Sequence, residues 1–134
     1  MPARHLTFGS AGEDYAAAFL ENRGYTIRNR NWRYRQWELD IICEKDNELV
    51  FVEVKTRAGK DVQAGVQAVT SAKRRSLFKA VSRYLTAMDL WDRPCRFDLV
   101  IVINDGNGFI AEHMENAFDF TDFMGSCNTA WQPW

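Results

Sequence analysis

Cysteine, histidine and proline are all scarce in this 134-residue chain, which holds three, two and three of them. Cys43, Cys95 and Cys127 are odd in number, widely spaced and form no CxxC, which argues against a disulfide framework and a cysteine-based zinc site. His5 and His113 lie far apart, which argues against a histidine-rich metal site. No apolar run approaches the roughly 20 residues of a membrane span. The longest, Leu49–Val52 and Leu99–Ile103, have strand length. The opening MPARHLTFGS lacks the hydrophobic stretch of a secretory signal, so a cytoplasmic protein is expected, with no membrane partner. No repeat or Pro/Gly-rich linker divides the chain, which predicts a single domain over residues 1–118 and a tail over 119–134.

Net charge is nearly absent too, 17 Lys+Arg against 18 Asp+Glu, but its distribution is uneven. Arg23, Arg28, Arg30, Arg33 and Arg35 fall in one segment without an acid. From Lys55 to Arg83 eight basic residues face one acid, Asp61. A face polarised in this way suits a polyanion such as nucleic acid, with Arg30, Arg33, Arg35, Arg57, Lys73 and Arg74 as the candidate contacts. Charge alone is as compatible with a solvated strand and helix face. Trp32, Tyr34 and Trp37 interleave with these arginines and could stack on unpaired bases or cover a sheet.

With 46% apolar residues the chain can bury roughly two-thirds of its unfolded surface, enough for a core. Ser10 to about Arg23 reads as a helix, with Ser10 and Glu13 as a capping box and Gly24 as its stop. Tyr25–Trp32 reads as an edge strand. Trp37–Cys43 and Leu49–Lys55 read as strands, joined by a loop over residues 44–48. A loop from Arg57 to Gly65 leads to a long helix over Val66–Met88, followed by strands over Arg96–Ile103 and Phe109–Met114. The order α-β-β-β-α-β-β implies an α/β fold, a mixed sheet flanked by helices.

The informative anomaly is charge inside strands that otherwise read as core. Asp40 precedes Ile41–Ile42–Cys43, and Glu53 stands between Val52 and Val54 with Lys55 next. Alternation puts Leu49, Phe51, Glu53 and Lys55 on one face, and Glu38, Asp40 and Ile42 on one face of the neighbouring strand. A register that sets Asp40 beside Glu53 brings Glu38 near Lys55. Two carboxylates at about 5 Å and an effective dielectric near 20 repel by roughly 3 kcal/mol. A shared proton, Lys55 or a bound cation must relieve that. A hard divalent ion such as Mg²⁺ or Mn²⁺, held by Asp40 and Glu53, would do so, with Lys55 orienting a water on the same face. A structural ion network around Lys55 is the plain alternative.

Asp40, a hairpin and Glu53–Val54–Lys55 resemble the PD…(D/E)xK signature of the restriction-endonuclease-like superfamily. More narrowly, Gly12–Glu13, Gly24–Tyr25, Glu38–Leu39–Asp40–Ile41–Ile42, Phe51 to Arg57, Ala68–Val69 with Lys73, and Arg96–Phe97–Asp98 resemble the bacterial YraN family, whose members look like archaeal Holliday-junction resolvases. The resemblance covers about residues 9–113. It implies a restriction-endonuclease-like αβββαβ core and a nuclease-like site of Asp40, Glu53 and Lys55, with Glu13 as an additional acid. Trp37 departs from it, standing where the family usually has Gly. The expected function is a metal-dependent endonuclease acting on structured or branched DNA, as a homodimer if it resolves four-way junctions. The alternatives are a non-catalytic nucleic-acid-binding module of the same fold, which Trp37 favours, and an interaction protein docking through its aromatic tail.

Overall fold

The computed structural model describes residues 8–59 and 70–117. Their elements are α1 (Phe8–Asn22), β1 (Thr26–Tyr34), β2 (Trp37–Lys45), β3 (Glu48–Ala58), α2 (Ser71–Met88), β4 (Cys95–Asn104) and β5 (Phe109–Met114). The strands form one sheet in the order β1-β2-β3-β4-β5. Every neighbouring pair is antiparallel except β3 and β4, which run parallel. That pair requires the chain to cross back over one face, and α2 lies on the crossover.

Alternation along the central strands supplies both halves of the core. Val50, Val52, Val100 and Val102 pack with Ile41 and Cys43 against Ala16, Ala17 and Leu20 of α1. Leu49, Phe51 and Phe97 pack on the opposite face against Leu77, Ala80, Val81, Tyr84 and Leu85 of α2. The two helices thus cover opposite faces of the sheet, as the mixed-sheet reading requires. Among the described residues, no helix is long and apolar enough to cross a membrane. Cys43 is a free thiol, and burial pushes it up to about 12, which leaves it inert.

Several expected boundaries move, each for a local reason. α1 already runs from Phe8, so Ser10 lies inside its first turn rather than capping it. Its end is as expected: Gly24 adopts φ 92°, Gly24 N–H donates to Glu21 O, and Tyr25 N–H reaches back to Leu20 O at 3.1 Å. β1 extends to Tyr34, two residues beyond expectation, because cross-strand partners on β2 continue to Trp37. The expected five-residue loop over 44–48 contracts to Asp46–Asn47, both left-handed (φ 52° and 68°), as a two-residue type I′ hairpin requires. Thr70 is extended and its hydroxyl accepts from Lys73 N–H, so α2 starts at Ser71 rather than Val66. Val66–Val69, the remainder of that loop and the 119–134 tail lie outside the described residues.

Candidate functional site

The site grows out of a fault in the β2–β3 ladder. Backbone pairing runs from Lys45↔Glu48 to Ile41↔Val52 and goes no further. One more step of the same register sets Asp40 opposite Glu53. There the Val54 N–H donates to Asp40 Oδ2 at 2.9 Å, a side chain taking the place of a ladder carbonyl. Strict alternation also fails at this point. Leu39 packs in the α2-side cluster together with Ile42, whereas Ile41 packs on the α1 side. β2 therefore twists out of phase at Asp40, and the carboxylate turns in along the rim between the strands.

Glu53 is 2% exposed in the middle of β3. Its Oε2 lies 3.1 Å from Lys55 Nζ and 3.5 Å from Lys73 Nζ, the latter from the first turn of α2. Glu38 was expected beside Lys55; instead it pairs with Arg33 on β1 at 2.8 Å, because the two strands separate before they reach Lys55. Burial pushes the Asp40 carboxyl up to about 8, with the adjacent Glu53 charge, a hydrogen bond to Glu53 and the Glu13 charge adding to the effect. The Val54 N–H opposes that shift without cancelling it. Asp40 is thus favoured in its protonated form near neutral pH, hydrogen-bonded to Glu53, when no cation lies beside it.

Glu13 reaches this neighbourhood from α1. Gly12, beside it, is buried, and a Cβ there would overlap Thr56 Oγ1 and stand 2.9 Å from Thr56 Cγ2 and 3.1 Å from its Cβ. Only glycine lets α1 approach β3 this closely, and that approach carries Glu13 toward Asp40. Glu13 is itself held at 3.4 Å by Arg30, which binds Asp14 more tightly at 2.7 Å.

The arginine-rich first segment is less uniformly basic than its sequence. Arg28 meets Glu44 at 3.4 Å, Arg30 meets Glu13 and Asp14, and Arg33 meets Glu38, all acids from other elements. Arg35, in the β1–β2 turn with φ 57°, lies with its guanidinium 5.4 Å from the Tyr34 ring. Arg57 donates to Thr56 O and Arg74 to Ser71 Oγ. Lys73, expected among the nucleic-acid contacts, stands in the acid cluster. Arg83 was not singled out by the sequence; it lies one helical turn beyond Lys79, a spacing that could have found it.

A second charged cluster lies on β4 and β5. Asp98, fully buried, accepts from Arg96 Nε at 2.9 Å and Nη2 at 3.0 Å, from the Asn116 N–H at 3.0 Å, and from His113 Nε2 at 2.7 Å. A carboxylate only accepts, so this ring nitrogen carries the proton. Arg96 also reaches Glu48, Glu115 and the Tyr25 hydroxyl. Burial alone raises the Asp98 carboxyl, but its bonds to His113, Arg96 and Asn116 outweigh that and hold it below its ordinary value. Asp98 and Arg96 thus form a structural salt bridge within β4. A cleft of about 160 Å³ beside it is lined by mutually paired groups, among them Glu48, Arg96 and Glu115.

Residues 12–102, which hold Glu13, Asp40, Glu53 and Lys55, match the Uncharacterised protein family UPF0102. The chain belongs to the UPF0102 family. A UPF0102 protein of Nitratidesulfovibrio vulgaris is 50% identical over 132 residues, covering 98% of both chains. One from Lawsonia intracellularis is 41% identical over 126 residues, covering 94% of this chain and 96% of its own. Another from Bacteroides thetaiotaomicron is 42% identical over 116 residues, covering 87% and 95%. The YraN resemblance drawn from the motifs agrees with UPF0102 membership.

Proposed function

We propose that this protein is a metal-dependent phosphodiester hydrolase acting on nucleic acid, DNA in the first instance, with a restriction-endonuclease-like core. The observation that carries the reading is the meeting of Asp40 and Glu53 where the β2–β3 ladder ends, with Lys55 and Lys73 on the same acid. Among the described residues, no group of three or more His, Cys, Asp or Glu forms a metal cage. Two carboxylates nevertheless suit Mg²⁺ or Mn²⁺, which take one or two protein acids and complete their shell with water and phosphate. The elevated Asp40 carboxyl marks a place where an added positive charge relieves a real conflict.

Asp40 and Glu53 would hold the ion, which supplies Lewis acidity at a phosphoryl oxygen and a more acidic water. Val54 N–H, held in place by the backbone, donates to Asp40 Oδ2 and so orients that carboxylate. Lys55 Nζ, anchored by Glu53, is placed to orient the attacking water and to stabilise charge on the phosphoryl group. Water adds to phosphorus, the bond to the leaving sugar oxygen breaks, and that oxygen takes up a proton. Lys73 provides further positive charge from the start of α2.

The decisive experiment is cleavage of labelled duplex, overhanging and branched DNA with and without Mg²⁺ or Mn²⁺. Hydrolysis is expected only with the ion, and Asp40→Asn or Lys55→Ala is expected to lower it by about 10³-fold while each variant still folds cooperatively, the scale seen when a charge-stabilising group is removed. Equal cleavage by wild type and both variants would overturn the reading. A second reading, a non-catalytic nucleic-acid-binding module, is favoured by the two lysines already on Glu53 Oε2. It predicts salt-dependent binding with no cleavage under any divalent ion.

A further inference from the structure

At the β1–β2 end of the α2 face, two half-buried aromatic rings lie on one another. Tyr34 and Trp37, cross-strand partners, stack with centroids 6.0 Å apart and planes 12° from parallel. Three cations crowd them: the Arg83 guanidinium 4.8 Å from the Tyr34 ring, Arg35 at 5.4 Å from the same ring, and Lys79 Nζ 5.6 Å from Trp37. Among the described residues, no carboxylate pairs with Arg35, Lys79 or Arg83, unlike Arg28, Arg30 and Arg33 nearby. A cation over a half-buried ring gains only a modest attraction. That is a weak return for gathering three like charges without a counterion, and a polyanion relieves the imbalance.

The place of this group relative to the acids matters. Trp37 packs against the α2-side core, on the face that also carries Glu53 and Lys55. α2 itself links the two regions, touching Glu53 through Lys73 and the ring pair through Lys79 and Arg83. Lys73 and Lys79 are about 9 Å apart along the helix axis at 1.5 Å per residue. α2 therefore carries positive charge at both places, Lys73 at the acid cluster and Lys79 with Arg83 at the rings.

We infer that Tyr34 and Trp37 form a stacking platform for an unpaired base, whose flanking phosphates are held by Arg35, Lys79 and Arg83. The preferred substrate is nucleic acid with unpaired nucleotides beside the scissile bond, such as an overhang or flap, rather than continuous duplex. The inference rests on the nuclease reading for its polyanion but adds a selectivity that the acids alone cannot provide. Stacking is tolerant of sequence because every base has a π-face, so the preference is for structure and not for sequence.

The test is fluorescence anisotropy in Ca²⁺ with a blunt duplex and the same duplex bearing a single-stranded overhang. Wild type is expected to bind the overhang form about 5- to 150-fold more tightly, the range that one stacked base supplies. Tyr34→Leu with Trp37→Leu is expected to erase that preference while leaving blunt-duplex affinity within about twofold. Trp37→Phe, which keeps a ring in place, is expected to retain it, and near-UV circular dichroism checks the packing of each variant. Lys79→Gln with Arg83→Gln is expected to reduce the slope of log affinity against log salt by about two. No preference in wild type, an undiminished preference in the double leucine variant, or no binding of either DNA would overturn the inference. Cleavage without a preference leaves the nuclease reading standing and sinks this one; preference without cleavage does the reverse.

Discussion

Asp98 and Asp40 are both drawn into the sheet of the same small protein, yet their surroundings push them in opposite directions. Asp98 receives two bonds from one guanidinium, one from an imidazole and one from a backbone N–H. Asp40 receives one backbone N–H and faces a second carboxylate, with a third nearby. Burial acts on both, so burial is not what separates them. The difference is the number of donors. A fully satisfied buried acid fixes structure, whereas one left beside another acid keeps an electrostatic deficit that a ligand can fill.

The sharpest way to break this comparison is to delete the satisfied acid. Asp98→Ala leaves Arg96 without its main partner and is expected to cost about 3–5 kcal/mol in denaturant unfolding, the range for breaking a buried pair. A loss under about 1 kcal/mol would mean that Glu48 and Glu115 alone suffice for Arg96. Gly12→Ala comes next. It is expected to cost about 1–3 kcal/mol as α1 lifts from Thr56, and to weaken metal-dependent activity by moving Glu13. Full activity with that loss of stability would remove Glu13 from the site.

The smallest expected effect depends on pH and separates the two acids by sign. The Asp40 carboxyl lies above its ordinary 3.8, near 8, so its folded-state cost is absent below about pH 4 and grows as pH rises toward 8. Asp98 lies below its ordinary value, so its contribution is present above about pH 4 and is lost as pH falls further. Asp40→Asn should therefore melt with wild type near pH 4 but exceed it by roughly 1 kcal/mol at pH 8, a fraction of the full Coulomb repulsion. Saturating Mg²⁺ should close that gap by stabilising wild type alone. A variant that is less stable at both pH values would show that Asp40 is a structural acid like Asp98.

Much of this architecture was legible because it depends on local pattern. The seven described elements occur in the expected order, since period-two apolar runs and the Gly24 stop carry their own signals. The β2–β3 register was legible as well, because a one-residue slip would turn Val50 and Val52 from the α1 side to the other face. What escaped was non-local. Nothing between Arg23 and Arg35 shows that Glu44, Asp14 and Glu38 would neutralise arginines there, because those acids arrive from other elements. Glu38 was assigned to Lys55 because regular alternation conceals the break at Asp40. The Arg96–Asp98–His113 group required β4 and β5 to be side by side before His113 had any meaning.

The tight turn at Asp46–Asn47 acts as a length gauge for chemistry at the far end of its hairpin. Glu53 stands six residues away, about 20 Å of extended chain, yet its position opposite Asp40 is counted from that corner. One inserted residue there forces a bulge or a shift that sends Glu53 toward α1, separating the two acids without altering either.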